Sequence, residues 1–374
     1  LVSTNCNFNR PVGLANADIG FSLTMEQVEG MLDRFIEIEG DPEVIQFSGG
    51  EPTIHPQILD MIQAAQDRGI RQVMVNTNGV RIAKDDQFLE DLARLKPVIY
   101  FQFDGLRRDT YMTIRGEDLL DQKLLALDRM QEAGLDAVLV AAIERGVNVD
   151  EVGPILQFGL KHPAVRGVVF QPVTHVGRHI PFDPMERVTI PDIIHGIVEQ
   201  TEGQFILEDF VPVPCCFPTC QVNSYVLVDG DTVMPLPRLI KIEDYLDYIT
   251  NRAMPQLPKS ADIQKALEGL WSASAVPGSE ATANMFECAC GPGMDLSGGL
   301  SPLNKHIFQI AIKDFMDSYT FNVKQVMKCC VGILVPDGRI IPFCAYNSVG
   351  YREQIREEMA AEQVKSLIAK KVSS

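Results

Sequence analysis

Apolar residues recur along the first half of the chain in two spacings, one typical of helices and one of buried strands. The helical spacing predicts a first helix over residues 24–39, because Thr24 can cap its start together with Gln27 and Gly40 can end it. Further helices are predicted from His55 to Gly69, at Asp85–Leu95, at Leu119–Ala133 and near 150–160. Short apolar runs predict strands before Cys6 and at Val44–Phe47, Gln72–Val75, Val98–Phe101, Ala137–Val140 and Gly167–Phe170.

Strands that alternate with helices over residues 1–204 predict right-handed βαβ units and a parallel sheet. We expect an α/β fold whose first domain, residues 1–204, is a partial (β/α)6 TIM-like barrel. Its site would lie at the carboxyl ends of the strands. An open, doubly wound sheet is the alternative topology for the same order of elements.

The pattern changes after about residue 205, where proline-rich sequence leads into two predicted β-hairpins, at 225–234 and 333–341. Each hairpin has Asp-Gly at its turn and follows a cysteine. A loop-rich stretch near 255–300 and a helix from about Asn304 to Met316 are expected between them. We therefore expect a second, cysteine-rich domain over residues 205–374.

Length and charge narrow the classes of partner. The 374 residues, 46% of them hydrophobic, can bury a full core. A net charge of −17 repels phosphate backbones and no basic run offsets it, so no nucleic acid is expected as a partner. No apolar stretch is long enough to span a membrane, so we expect a cytoplasmic protein with at most peripheral membrane contact. The chain starts at Leu1, and we expect its natural N-terminus to lie upstream.

Cysteines are concentrated in the predicted second domain. Metal ligation is preferred over disulfides, because adjacent cysteines are poor disulfide partners and a reducing cytosol disfavours the bond. Eight thiolates are the number that two four-cysteine iron–sulfur clusters require, with zinc as the alternative metal. Which four share a cluster stays open. The predicted ligands are Cys215, Cys216, Cys220, Cys288, Cys290, Cys329, Cys330 and Cys344, while Cys6 stands alone near the start.

Polar residues follow the predicted strands at the points where they end. Ser48-Gly49-Gly50-Glu51 follows the second strand. Its glycines let the backbone approach a ligand, and its glutamate can accept a hydrogen bond from an ammonium group. Similar runs follow the next two strands, at 76–79 and 102–105. Because the carboxyl ends of parallel strands meet at one edge of a barrel, these residues are expected in one site.

This succession resembles the radical S-adenosylmethionine superfamily. The resemblance implies that Gly49, Gly50 and Glu51 hold the methionyl amine of the cofactor. Residues at the later strand ends would complete the cofactor site: Asn78, Gln102, Asp104, Arg115, Asn148 and Gln171. Of these, Gln102, Asp104 and Arg115 are the candidates for binding the ribose and the carboxylate. An ion pair within a loop is the alternative role for Asp104 and Arg115.

The start of the chain departs from this family. The family has three cysteines in the spacing C-x3-C-x2-C, but here Arg10 and Gly13 occupy two of those positions after Cys6, and Leu14 replaces an aromatic residue. One thiolate cannot hold a four-iron cluster, so we expect essentially no cofactor cleavage by the chain as written. Each substitution is one base from the expected codon. An altered sequence and a natural pseudoenzyme are the two interpretations.

The tail narrows the resemblance. The runs at 209–220, 313–321 and 328–347 resemble the archaeal tetraether lipid synthase group, also described as dihydro-hydroxymethylpterin methyltransferases, and more loosely the SPASM and twitch auxiliary-cluster domains. This implies a 5′-deoxyadenosyl radical, auxiliary 4Fe–4S clusters, and an electron donor such as a ferredoxin or flavodoxin. The expected activity is joining of lipid alkyl chains, with pterin methylation as the alternative. A non-catalytic iron–sulfur electron-transfer or binding protein is the alternative of another class.

Four apolar residues and two histidines have a role in a lipid enzyme and a purely structural alternative. Met285-Phe286 and Phe315-Met316 can line an apolar tunnel, although core packing is the alternative for both pairs. His175 and His179 can handle protons near the sixth strand, although hydrogen-bonded loop residues are the alternative.

Overall fold

The strands of the first half pair in the order in which they occur along the chain. The computed structural model describes residues 22–176, 183–213, 217–238, 307–359 and 361. Each of the first five strands is parallel to the next. They are β1 (Val44–Phe47), β2 (Gln72–Thr77), β3 (Val98–Gln102), β4 (Ala137–Ile143) and β5 (Val165–Pro172). Within the described residues this order does not reverse, which is the topology of a partial TIM-like barrel rather than of a doubly wound sheet.

Helices connect these strands and cover one face of the sheet. Helix α1 (Met25–Glu39) begins at the predicted capping box of Thr24 and Gln27 and ends at Gly40. The other predicted helices are confirmed with small changes in their ends, whereas α3, α5 and α8 are not predicted by the apolar pattern. These helices are α2 (Ile58–Asp67), α3 (Val80–Lys84), α4 (Asp86–Leu95), α5 (Arg108–Arg115), α6 (Leu120–Glu132), α7 (Val152–Lys161) and α8 (Ile190–Gln200).

The predicted helix from Asn304 to Met316 is wrong over its described part. Residues Ile307–Lys313 form a strand, β9, which extends the sheet by pairing in parallel with β5. Phe308, Ile310 and Ile312 are buried on one face, which is the period of two that a strand requires. The run is short, apolar and rich in β-branched isoleucine, so the open edge of β5 decides its conformation.

The sheet continues beyond β9 into the predicted second domain. Strand β7 (Gln221–Asp229) is antiparallel to β9 and also pairs with β6 (Val211–Pro212) and β8 (Thr232–Pro235). The pair β7 and β8 is the first predicted hairpin, which is thereby confirmed. One sheet therefore passes through the boundary that the sequence predicts at residue 205.

A smaller layer follows β9. The second predicted hairpin is confirmed as β10 (Gly332–Leu334) and β11 (Ile340–Pro342), between the short helices α9 (Val323–Val326) and α10 (Phe343–Ser348). Helical residues at 351–359 pack onto it, and together they bury their own apolar cluster. None of the helices that the structure describes is long and apolar enough to cross a bilayer.

The two faces of the main sheet carry different side chains. The helix-covered face holds the main core, for example Val75, Phe101, Leu139 and Phe170. The opposite face, which a barrel turns inward, has only a small apolar cluster around Val140, Val169 and Ala311. Polar residues surround this cluster. The sheet therefore presents its hydrogen-bonding side chains to the barrel interior.

Candidate functional site

Glu51 ties the turn after β1 to the end of β2. Its Oε1 accepts hydrogen bonds from the hydroxyls of Thr53 (2.7 Å) and Thr77 (2.6 Å) and from the Thr53 amide (3.2 Å). Among the residues that the structure describes, its Oε2 accepts only from the amide of Asn78, at 2.7 Å. A carboxylate oxygen has two lone pairs, so Oε2 retains an acceptor position. The glutamate is thus held rigidly with one position open to a further donor. Gly49 and Gly50 lie in this same turn.

The turn after β2 is held by several hydrogen bonds and by close packing at Gly79. Gly79 has φ +76°, and a Cβ there would overlap the Phe101 ring, so only glycine fits. Its amide donates to the Thr77 hydroxyl at 3.0 Å, and the Asn78 side-chain oxygen accepts from the Val80 amide at 2.9 Å. The position of Asn78 is therefore fixed relative to Glu51.

Amide side chains continue this site across the next strand. Asn76 donates to the Ser48 hydroxyl at 3.3 Å, and Gln102 donates to the Asn76 side-chain oxygen at 3.4 Å. The row runs over the ends of β1, β2 and β3 on the interior face. It brings Gln102 near the Gly49–Glu51 turn, as predicted from the strand ends.

Asp104 and Arg115 form an ion pair beside this row. The two guanidinium donors of Arg115 reach the two Asp104 oxygens at 2.6 and 2.9 Å, and the Ala142 amide donates to the same carboxylate. Asp104 is fully buried. Asn148 donates to the carbonyl oxygens of Asp104 and Ala142 at 2.7 and 2.8 Å, and its own oxygen accepts from the Glu144 amide. Asp104 and Arg115 thus form the ion pair that was given above as their alternative role. A contact of Asp104, Arg115 or Asn148 with a cofactor stays a prediction.

Two buried charged residues near the site are not predicted from the sequence. Glu151 accepts from the amides of Leu106 and Arg107 and lies 2.7 Å from where a Cβ on Gly105 would be. Lys123 is 2% exposed, and burial, with Arg115 nearby, lowers its pKa to about 7. A signal for the lysine exists: it lies three, four and seven residues before the buried Ala126, Leu127 and Met130, on the apolar stripe of α6.

The interior face also carries a row of phenols and amides farther along the sheet. Register places Tyr100 of β3, Gln309 of β9 and Tyr225 of β7 on one line across the interior face, with Val138 of β4 and Gly167 of β5 between Tyr100 and Gln309. Gln171 donates to the Tyr100 hydroxyl at 3.0 Å, and Gln309 to the Tyr225 hydroxyl at 3.5 Å. Asn223 donates to the same Tyr225 hydroxyl at 3.4 Å. Of these, only Gln171 is predicted as a site residue.

Four of the predicted metal ligands are described, and they converge at one end of the sheet. Cys220 Sγ accepts from Lys313 Nζ at 3.0 Å, and Cys344 Sγ accepts from the Met316 amide at 3.4 Å. Burial raises the pKa of Cys344 to about 11, and the thiols of Cys329 and Cys220 are near enough to add to that shift. Cys330 follows Cys329 and is exposed. Within the described ranges no three His, Cys, Asp or Glu side chains are close enough together to hold a metal ion.

The other predicted positions divide into two groups. The Phe315 and Phe343 rings pack against each other in a tilted arrangement, with centroids 4.4 Å apart, and Met316 is buried, which is the core packing given above as the alternative. His175 is buried and donates its backbone amide to Asp317. The remaining positions lie outside the described residues: Cys6, Arg10, Gly13, Leu14, His179, Cys215, Cys216, Met285, Phe286, Cys288 and Cys290.

Comparison with known proteins identifies the family. A model of the radical SAM superfamily matches residues 4–159. The chain is 32% identical over 395 residues to 7,8-dihydro-6-hydroxymethylpterin dimethyltransferase of Methanocaldococcus jannaschii, covering 96% of this chain and 78% of that protein. It is 27% identical to GTP 3′,8-cyclase of Shewanella denitrificans over 43% of this chain and 47% of that one.

The structure of anSMEcpe with bound AdoMet and the Kp18Cys peptide aligns with a TM-score of 0.37 and 13% identity, over 53% of this chain and 56% of that one. Because the family model matches residues 4–159 and the pterin dimethyltransferase aligns with 96% of this chain, the chain belongs to the radical SAM superfamily, a family of enzymes whose cofactors are S-adenosylmethionine and a 4Fe–4S cluster.

Proposed function

We propose that this chain is a radical S-adenosylmethionine (SAM) methyltransferase whose substrate is a reduced pterin. The observation that carries the proposal is the interior row of Tyr100, Gln171, Gln309 and Tyr225. A pterin ring has donors and acceptors around its rim that amides and phenols can match. An alkyl chain has none, so it could not use the hydrogen-bonding capacity that these side chains retain beside their mutual bonds. The similarity to the pterin dimethyltransferase supports the same substrate class.

The cofactor would bind along the ends of β1 to β3. We assign the methionyl ammonium to the open position on Glu51 Oε2, with Gly49 and Gly50 allowing close approach of the backbone. Gln102, which donates to Asn76, and Arg115, which is paired with Asp104, would donate to ribose and carboxylate oxygens. Asp104 and Asn148, whose polar groups are occupied by protein partners, would orient Arg115 and the loop. Asn78 and Gln171 complete the site from either side.

The donor set of the tail fits an auxiliary iron–sulfur cluster. Cys220 at the start of β7, the adjacent Cys329 and Cys330 before β10, and Cys344 after β11 supply four thiols, the number that one 4Fe–4S cluster takes. No three of them lie close enough together in the described structure to hold a metal, so a cluster would have to draw them together. The Lys313 ammonium, which already donates to Cys220, would stabilise a thiolate there. In the family, reductive cleavage of SAM at the N-terminal cluster supplies a 5′-deoxyadenosyl radical. A ferredoxin or flavodoxin would deliver the electron.

Joining of lipid chains is the second candidate function. The tail motifs at 313–321 and 328–347, which resemble the tetraether lipid synthase group, favour it. The two functions differ in the polarity that the barrel interior must present. The substrate that promotes 5′-deoxyadenosine formation therefore separates them.

The test uses the double variant Arg10→Cys/Gly13→Cys, reconstituted anaerobically with iron, sulfide and a reductant. With added S-adenosylmethionine, we expect formation of 5′-deoxyadenosine to depend on a reduced 6-hydroxymethylpterin and not to occur with an isoprenoid ether lipid. The unaltered chain is the control and should form essentially none. Turnover with the lipid alone would replace the pterin proposal with the lipid one. No cleavage by the restored variant, although loaded with about twelve irons, would contradict both.

A further inference from the structure

Lys123 places an ammonium group inside the protein, next to the turns after β1 and β2 that are proposed to bind the cofactor (the cofactor turns). It lies in the first turn of α6 on the face that packs against the sheet, and only 2% of it is exposed. Lysine is almost never fully buried without a specific partner, because removing its charge from water is costly. The partner should therefore explain why the residue is there.

That partner is the turn after β2. Lys123 Nζ donates to the carbonyl oxygen of Asn78 at 2.6 Å and lies 5.1 Å from the centre of the Phe101 ring. The same ring packs against Gly79, where no side chain fits. The lysine thus contacts both the turn and the aromatic ring that supports it, with a hydrogen bond and a cation–π contact.

The other side of the same turn holds Glu51. The Asn78 amide donates to Glu51 Oε2 at 2.7 Å, while the Asn78 carbonyl accepts from Lys123. One residue therefore connects the buried ammonium to the carboxylate oxygen that has an open acceptor position. Movement of this turn would change the direction of that position.

We propose that Lys123 is a positioning residue for SAM, holding the Asn78–Gly79 turn so that Glu51 presents Oε2 to the cofactor's ammonium group. The inference rests on the proposed role of Glu51 in cofactor binding. The charged groups that face Lys123 are Glu51 from the turn after β1, Asp104 from the end of β3 and Arg115 from α5. Together with the Arg115 guanidinium, the protonated lysine gives two positive charges beside the Glu51 and Asp104 carboxylates.

Replacing Lys123 should weaken the binding of SAM without lowering the stability of the fold. Burial lowers the pKa of this lysine to about 7, which means that the fold disfavours its charge. A methionine of similar length would fill the space without that penalty. A residue needed only for packing would lower stability when it is removed, whereas a positioning residue kept at a cost to stability would not.

The test compares Lys123→Met with Lys84→Met, a change at an exposed lysine on α3. SAM affinity is measured by equilibrium dialysis and stability by urea unfolding. We expect Lys123→Met to bind SAM at least about tenfold more weakly, with an unfolding midpoint at or above that of the parent chain. Lys84→Met should change neither. Unchanged affinity, or parallel losses of affinity and stability, would overturn the proposal, and so would a variant that fails to fold.

Two further variants separate this inference from the assignment of Glu51. Lys123→Gln keeps a donor without the charge and should bind SAM with intermediate affinity. Glu51→Gln should weaken SAM binding whatever the role of the lysine. If Glu51→Gln has no effect, the cofactor assignment itself fails. If Glu51→Gln weakens binding and neither Lys123 variant does, only the positioning role fails.

Discussion

Replacing Glu51 by glutamine tests whether one carboxylate organises the turns after β1 and β2. The change keeps the shape of the side chain but converts one oxygen to an amide NH2. Four donors point at this carboxylate, from Thr53, Thr77 and Asn78. The amide oxygen would best take the place of Oε1, where three of the donors meet. Its NH2 group would then face the Asn78 amide, donor against donor.

The size of the effect follows from that mismatch. One charge-assisted hydrogen bond of 2.7 Å is lost, and the amide donor is left unpaired in a half-buried turn. Together these should lower the free energy of unfolding by about 3 kcal/mol. Glu39→Gln, at the exposed end of α1, is the matched control and should change it by less than about 0.5 kcal/mol.

Urea unfolding of both variants with the parent chain measures this difference directly. A double-mutant cycle of Glu51→Ala with Thr77→Val then isolates one contact, because the Thr77 hydroxyl donates to Glu51 at 2.6 Å and Glu51→Ala, unlike Glu51→Gln, removes the acceptor. We expect a coupling energy of about 1 kcal/mol or more. If Glu51→Gln is as stable as the Glu39 control, the carboxylate does not anchor these turns, and the site must be organised by the backbone alone.

Three further changes test neighbouring features. Asp104→Asn leaves the Arg115 guanidinium largely buried without its carboxylate and should lower the unfolding free energy by about 3 kcal/mol in urea. Gly79→Ala should lower the melting temperature far more than Gly134→Ala, because both glycines have positive φ but only the first has no room for a Cβ. Lys123→Met should be more stable than the parent at neutral pH, because the burial penalty of the charged lysine, on the order of 5 kcal/mol, exceeds the roughly 1–3 kcal/mol lost when the Asn78 carbonyl loses its donor. The lysine's pKa is lowered from 10.5 to about 7 in the fold, so its penalty is complete below pH 7 and this advantage should vanish in urea unfolding as pH rises towards 10.5.

Local signals were sufficient for most helices and parallel strands. Helix α1 shows why: Thr24, Gln27 and Gly40 mark its ends through hydrogen bonds within a few residues, so nothing distant is needed. Strand β9 shows the opposite case. Its seven residues suit a helix or a strand, and the choice depends on the edge of β5, more than a hundred residues earlier.

The candidate site divides in the same way. Glu51, Gln102 and Asp104 could be placed together because parallel strands end at one edge of a barrel. Lys123 could not, because its role depends on how α6 rotates onto the turn after β2. The row of Tyr100, Gln309 and Tyr225 depends on β9 and was inaccessible for that reason.

Strand β9 also determines where the cysteines lie relative to the cofactor turns. It is parallel to β5, so its last residue, Lys313, lies at the same edge of the sheet as the ends of β1 to β5. Strand β7 runs the other way, which brings its first residues and Cys220 to that edge, where Lys313 reaches the sulfur. A cluster on these cysteines would therefore face the barrel mouth. Of the four described cysteines, only Cys220 is held by the sheet that carries the cofactor turns, whereas Cys329, Cys330 and Cys344 lie in the separate layer of β10 and β11, so the packing of that layer against the sheet decides how they approach the barrel.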